Sequence, residues 1–487
     1  MTSNPEADIQ NSQRFYPFDR AAIAAIALLF VFVIGLTVFG KFLTPKVAGF
    51  SWQDRKIGAD ARAFVLKFKR PMDRASVEAN LQIEPDLPGK IAWGDRELFY
   101  TLLQPPVYGE DYQVTLQGAK ERYGEWGAGG RRIETFQGMF EARDRVFAYL
   151  GVEGDERGKL ILYNLTQERK QILTPPDLIV IDFKPYPDSE RILFSAIDSA
   201  SIDRDLRDLQ LYTVTTGLNS TQPFGRIQPI LDARTYQNFQ FDLSTDGKTV
   251  IIDRENPLNP SDTALWIVPG AGEPRSLGIR GETFAIAPDG QTLAVGQERG
   301  ISLIPLTPQA PPLAFLPGYE EILEFSPDRA MPLLLDILPD GTRSLVLVKG
   351  RGLSPKRIPI AGLVRDCKFS PLQTDILYCF QLGGKNQPPE QPLLSLIDLK
   401  KVRETPFLAL TDYQEVVISL SPDGLTLLFD QVVTTPSGFE GDPSQPETLA
   451  ASIWLLRLPD PSREGDRAIA IQRPEKLFPG LNPVWLP

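Results

Sequence analysis

Between Ala21 and Gly40 the chain reads AAIAAIALLFVFVIGLTVFG, a run with no charge and one hydroxyl, Thr37. Twenty helical residues rise about 30 Å, the thickness of a bilayer core. Arg20 and Lys41 bracket the run, where they can reach the headgroups. A cleaved signal peptide has a shorter apolar core and a small-x-small site, and Val38-Phe39-Gly40-Lys41 is a poor one. The pattern predicts a transmembrane signal-anchor helix over 20–41, behind a cytoplasmic tail over 1–19.

After the span the periodicity changes. Phe64 to Phe68 partly alternates, as a half-buried strand does, and Leu98-Phe99-Tyr100, Tyr112 to Leu116 and Phe136 to Phe140 read as further strands. Short strands separated by turn residues predict a β-sandwich over 44–142. The succession Pro71-Met72-Asp73, Ser76-Val77, Leu81-Gln82-Ile83, Pro85, Gly89, Trp93 and Tyr112-Gln113-Val114-Thr115-Leu116 resembles the bacterial S-layer-type Ig-like domain. That resemblance implies an extracytoplasmic spacer or adhesion module without catalytic residues. Trp93 is read as a core tryptophan in preference to a ligand-stacking one.

From 143 onward a unit recurs at irregular intervals: an apolar strand, a tight turn, then three more strands. First strands end at Phe183-Lys184-Pro185-Tyr186-Pro187-Asp188, Leu243-Ser244-Thr245-Asp246-Gly247 and Ile286-Ala287-Pro288-Asp289-Gly290. Others end at Phe325-Ser326-Pro327-Asp328, Phe369-Ser370-Pro371 and Leu420-Ser421-Pro422-Asp423-Gly424. Ser or Pro opens each turn, Asp bonds backbone amides, and Gly takes the positive φ that closes it. A repeating unit of this length is tested first as a propeller. The repeats resemble TolB-like and WD-type propellers, and more closely the former, because the turn follows the innermost strand. Residues 146 to 173 supply only three strands, and Asn482 to Leu486 look like the missing first one. The fold class expected is therefore all-β: an N-terminal transmembrane helix, an Ig-like β-sandwich, then a seven-bladed β-propeller over 143–487 closed by the C-terminal strand. Six or eight blades are the alternatives.

Basic residues near the span (Arg14 and Arg20 before; Lys41, Lys46, Arg55 and Lys56 after) favour a cytoplasmic C-terminus by charge counting. Large domains translocate largely regardless of charge, and these resemble exported ones. The expectation is a single-pass membrane protein, anchored through residues 21–40, with its C-terminal domains on the periplasmic or lumenal side.

The net charge of −11 argues against nucleic acid, which needs a basic stripe. The chain has no histidine, which removes histidine triads and histidine-ligated metals. Carboxylate, lysine or tyrosine chemistry remains open, and no P-loop, nucleophile elbow or dinucleotide fingerprint is present. Cys367 and Cys379 fall on successive strands and are read either as a disulfide or as two buried thiols.

Long loops between second and third strands, about 199–208, 255–263, 383–391 and 434–450, point to a lopsided rim. The candidate binding residues there are Asp203, Asp205, Asp208, Arg254, Glu255 and Phe439. The three aspartates lack the glycine and terminal glutamate of an EF-hand loop and read as a solvated rim, so no metal or cofactor is expected. The functional expectation is a membrane-anchored envelope binding or scaffolding protein, not an enzyme, presenting its ring to a protein or glycan. The alternative is a carboxylate-dependent envelope hydrolase acting on glycan, which requires acidic side chains converging at the ring centre with one pKa raised.

Overall fold

A computed structural model describes residues 17–42, 45–122, 130–201, 208–218, 222–270, 273–307, 313–319, 321–327, 331–337, 343–349, 354–384, 387–410, 416–434, 449–458 and 473–487. The chain divides into two compact units. The smaller comprises Met1–Arg55, Ala63–Leu102 and Tyr112–Phe140, and the larger Lys56–Arg62, Leu103–Asp111 and Glu141–Pro487.

In the smaller unit Pro17–Phe42 is helical. Its side chains are described over 21–35, and Ile23, Leu28 to Val33 and Ile34 are exposed. One sheet runs in the order Val47–Phe50, Ala63–Phe68, Glu97–Leu102, Gly89–Trp93. A second places Leu81–Glu84 beside Asp111–Leu116, and that strand beside Phe136–Ala142. Alternation sets the inward faces: Phe64, Leu66 and Phe68 on one strand, Tyr112, Val114 and Leu116 on another, are all buried. Tyr112 stacks on Phe140 at 5.0 Å and Phe64 on Tyr100 at 4.9 Å, which adds to the area term. Trp93 is only partly buried, and its indole donates to Glu78 Oε1 at 2.7 Å, so the expected core tryptophan is a sheet-surface one.

The larger unit carries seven four-stranded antiparallel sheets. Sheet A consists of Leu481–Trp485, Val146–Leu150, Leu160–Asn164 and Arg169–Ile172, from inside outward. Sheet B is Leu178–Pro185, Arg191–Asp198, Gln210–Thr215 and Ile227–Leu231; sheet C is Gln237–Leu243, Thr249–Asn256, Asn259–Pro269 and Arg275–Ser276. Sheet D is Thr283–Ile286, Thr292–Gln297, Gly300–Pro305 and Ala314–Pro317; sheet E is Glu321–Phe325, Pro332–Ile337, Arg343–Lys349 and Ser354–Pro359. Sheet F is Leu363–Phe369, Ile376–Gly384, Gln387–Asp398 and Arg403–Ala409; sheet G is Ile418–Leu420, Thr426–Thr434, Leu449–Arg457 and Glu475–Pro479.

The second strands are buried on both faces, which is why they read as continuous apolar runs such as Ile192-Leu193-Phe194. Ile192 and Phe194 pack with Val146 and Leu162 of sheet A, while Leu193 packs with Phe241 and Ile252 of sheet C. Comparable clusters lie between each later pair of sheets, and the last joins Leu428 and Ile453 of sheet G to Phe147 and Ile161 of sheet A. A side chain such as Phe194, with no exposed surface, contributes about 2–3 kcal/mol by burial.

The turns after the inner strands follow their chemistry. Ser244 Oγ donates to Asp246 Oδ1 at 2.7 Å and accepts the Thr249 amide at 3.0 Å, while Gly247 takes φ +68°. Ser421, Asp423 and Gly424 repeat the arrangement, with the Thr426 amide 2.9 Å from Ser421 Oγ. The bond from Ser244 and the Lys248 amide hold the Asp246 carboxyl below its ordinary range.

Two expectations are corrected here. No sheet closes: each ends after four strands, and Leu481–Trp485 completes sheet A by pairing with Val146–Leu150 without closing any sheet on itself. The expected transmembrane helix and seven-bladed propeller closed by the C-terminal strand are replaced by open four-stranded sheets, nine among the described residues. Among the described residues, moreover, no helix is long and apolar enough to cross a membrane. The single-pass localisation falls with that finding.

Cys367 and Cys379 stand opposite each other in register, with Cα atoms 4.1 Å apart, and form a disulfide within the core between sheets E and F. Replacing both with alanine is expected to lower stability by about 3 kcal/mol through the freed loop, read as a lower urea midpoint at unchanged slope.

Candidate functional site

The inner strands contact one another in succession, C to D, D to E, E to F, F to G, G to A and A to B. The step from B to C is made by Lys184 Nζ donating to Asp242 Oδ1 at 2.5 Å. One position recurs on all of them, immediately before the residue that closes the strand. It holds Lys184, Asp242, Ala285, Glu324, Lys368, Ser419 and Val484 in sheets B, C, D, E, F, G and A.

An inner strand is an edge, and its free amides need acceptors. At three of these positions a side-chain oxygen accepts the amide one residue further along on the next sheet. Ile286 N donates to Asp242 Oδ2 at 2.7 Å, Phe369 N to Glu324 Oε2 at 2.6 Å, and Trp485 N to Ser419 Oγ at 3.1 Å. Asp430, on the second strand of sheet G, accepts Asn482 N at 2.7 Å and Val417 N at 2.7 Å. These latches join neighbouring sheets whose strands never pair.

The inner strands surround a cavity of about 740 Å³, within the range of ligand pockets. Lys184, Glu324, Lys368, Ser419 and Val484 line it, with Asp182, Asn482 and the apolar Phe183, Leu243, Val417, Ile418 and Trp485. Pro187, Ser244 and Thr245 place it at the strand ends that carry the first-to-second turns.

Burial pushes the Glu324 carboxyl up to about 7, although Lys368 and the Phe369 amide pull it back. Burial likewise raises Asp182, against Lys184 and the Phe183 amide. Lys368 loses hydration, which disfavours its charge, but Asp366 and Glu324 outweigh this and hold it above its ordinary value. Its ammonium lies 3.1 Å from Asp366 Oδ1. Each lysine thus keeps an aspartate of its own, whereas Asp182 and Glu324 have no cation within ion-pair distance among the described residues.

None of the rim residues singled out in the sequence lines this cavity. Asp203, Asp205 and Phe439 lie outside the described residues, and Asp208 is exposed just before the strand Gln210–Thr215. Arg254 is buried within the strand Thr249–Asn256, its guanidinium 4.8 Å from the Tyr236 ring and 5.0 Å from Trp266, with Nε donating to Asn238 Oδ1 at 2.9 Å. Burial lowers its pKa. Glu255, beside it, faces Gln237 and Thr263 across the sheet. The cavity residues carried a signal that rim-loop reasoning passed over. A charge recurs one place before the closing apolar residue, as in Asp242-Leu243, Glu324-Phe325 and Lys368-Phe369.

Because Glu324 holds its proton in the folded chain up to about 7, against 4.5 when unfolded, its contribution is favourable below 4.5 and lost as pH rises through 7. Glu324→Gln keeps the acceptor for Phe369 N. It is expected to leave stability unchanged near pH 4 and raise it on the order of 2 kcal/mol at pH 8, allowing for partial exposure. Melting temperature against pH for both proteins checks this.

No family model matches the chain, and no curated protein matches it. Similar solved structures include an oligogalacturonate lyase from Vibrio parahaemolyticus, 12% identical over 56% of this chain and 80% of that one, with a TM-score of 0.45. TolB from Acinetobacter baumannii is 10% identical over 84% of this chain and 83% of that one, TM-score 0.41. A putative TolB from Agrobacterium tumefaciens is 14% identical over 55% and 90%, TM-score 0.36. TolB and TolB-like proteins are thus among the chains this one is similar to.

Proposed function

We propose that this chain is a binding or scaffolding protein, not an enzyme, whose inner-strand cavity receives a protein or glycan partner. The observation that carries the reading is the employment of the cavity's oxygens. Glu324 and Ser419, which line the cavity, are engaged as acceptors for a neighbouring sheet's amides. A group that moves protons in every turnover would have to give up such a bond or work around it. Binding needs only what the cavity already offers, a largely apolar lining with a few convergent polar groups.

One observation favours the hydrolase alternative. An apolar or uncharged cavity would have excluded it, and this one holds two carboxylates with raised pKa, Glu324 near 7. A protonated carboxyl at neutral pH is what a glycosidic general acid requires.

The full chain is to be titrated calorimetrically with oligosaccharides and with short peptides, and the same mixtures assayed for new reducing ends. Saturable binding weakened about tenfold by Lys368→Met, without bond cleavage, is expected. Glycan cleavage abolished by Glu324→Gln would overturn the binding reading in favour of hydrolysis.

A further inference from the structure

We infer that Ser189 is a clasp: from the first turn of sheet B it grips Pro487 and so retains the strand Leu481–Trp485, one wall of the inner-strand cavity. Its hydroxyl donates to the main-chain oxygen of Pro487 at 2.7 Å. Arg143 Nη1 donates to the same oxygen at 3.1 Å, from the segment that leads into Val146–Leu150.

The turn itself does not call for serine. Four of the turns after inner strands share one bond pattern, in which an amide donates to the carbonyl three residues earlier. Ser189 so bonds Tyr186, Gly247 bonds Ser244, Gly290 bonds Ala287 and Gly424 bonds Ser421. All four donors take positive φ, between +59° and +70°. Glycine does so freely, whereas the Cβ of serine crowds the following carbonyl. A serine persists in that conformation where its surroundings hold it there. Ser189 is buried, and the buried Thr216 hydroxyl donates to its carbonyl at 2.6 Å. The strain thus falls where the hydroxyl has a partner on another sheet.

The strand it retains is loosely paired. Leu481–Trp485 meets Val146–Leu150 at three positions, with a register shift between Leu481 and Val484. Leu178–Pro185 of sheet B meets its own neighbour at seven. Within the shift Asn482 takes φ +50°, and Pro483 has no amide to donate. Sheet G holds the strand through Asp430 and Ser419, which accept Asn482 N and Trp485 N. Toward sheet B, Val484 offers no latch. There the Asn482 side chain bonds Asp182, and Ser189 supplies the bond beyond the strand's end.

A cavity of about 130 Å³ lies against that bond, with Arg143, Ser189, Leu486 and Pro487 in its lining. It leaves room for water to take over the oxygen once released. Asn482, Val484, Trp485 and Pro487 also line the larger cavity between the inner strands. Release of the clasp therefore loosens that wall and opens the larger cavity toward Val146–Leu150, whatever its ligand.

Amide hydrogen exchange of the full chain, followed by mass spectrometry, tests the clasp. Ser189→Gly gives this turn the residue that Gly247, Gly290 and Gly424 supply in theirs, removing strain and hydroxyl together. Exchange over 481–486 is expected to quicken about tenfold through the lost hydrogen bond, while Leu363–Phe369 of sheet F keeps its rate. Val484→Cys, with the native cysteines paired in their disulfide, reports on the wall. Its labelling by a maleimide is expected to speed up about tenfold when Ser189→Gly is added. Unchanged exchange over 481–486, an equal rise in every sheet, or labelling indifferent to Ser189→Gly overturns the inference.

Discussion

The larger unit depends on how the unpaired amides of its inner strands are satisfied. Each sheet stops at four strands, so every inner strand presents an edge toward the cavity. Asp242, Glu324 and Ser419 answer by lending an oxygen to the next strand's amide, at 2.6 to 3.1 Å. A carboxylate accepting a backbone N–H forms a charge-assisted bond, roughly twice as strong as a neutral one. Apolar clusters between the sheets supply most of the cohesion, but they are non-directional and tolerate sliding. The latches are directional and fix the register of one sheet against the next. Glu324 and Ser419 also line the cavity, so at Glu324 the interaction that aligns the sheets also bears on the cavity's charge.

This coupling accounts for the unusual protonation there. The Glu324 latch is withdrawn from solvent, and withdrawal raises its pKa, since its one strong bond, to Phe369 N, and its proximity to Lys368 do not compensate for burial. Asp246, in an exposed turn with hydroxyl and amide donors, moves the other way. Placement within the repeat, more than residue type, decides whether an aspartate or glutamate here is an ordinary turn anion or a near-neutral acid.

How legible this was in the sequence depended on the range of the interactions involved. The turns were readable because Ser244, Asp246 and Gly247 act within six residues, and the strands because burial on both faces leaves runs such as Ile192-Leu193-Phe194. The pairing of Leu481–Trp485 with Val146–Leu150 was readable from a missing strand. The disulfide was left open because it depends on register across a hairpin, where a slip of one residue sends the two side chains to opposite faces. Arg254 and Glu255 were misjudged as loop residues because the hairpin 249–269 stays paired almost to its tip, with Asn256 opposite Asn259. The latches were least legible. Each joins residues some 44 to 66 positions apart, on strands that never pair, and no local pattern encodes such a partner.

The variation among the seven equivalent positions separates scaffold from site. If aligning the sheets were the whole task, one latching residue would serve at every step. Instead Ala285 and Val484 provide no acceptor, Lys184 and Lys368 provide donors, and only three positions latch. Without an acceptor at this position, the D–E step rests on packing, as between Ile301 and Leu334, and the A–B step on packing of Val146 with Phe194 together with Lys159 Nζ donating to the Leu178 carbonyl at 2.6 Å. Those steps hold without a latch, so a given polar residue at this position is not demanded by the fold. The lysines go further, bringing partly exposed cations that pair with Asp242 and Asp366. Lys184 itself makes the step from B to C, so its charge is part of the alignment, whereas Lys368 pairs with Asp366 of its own strand and joins no neighbouring sheet through that bond.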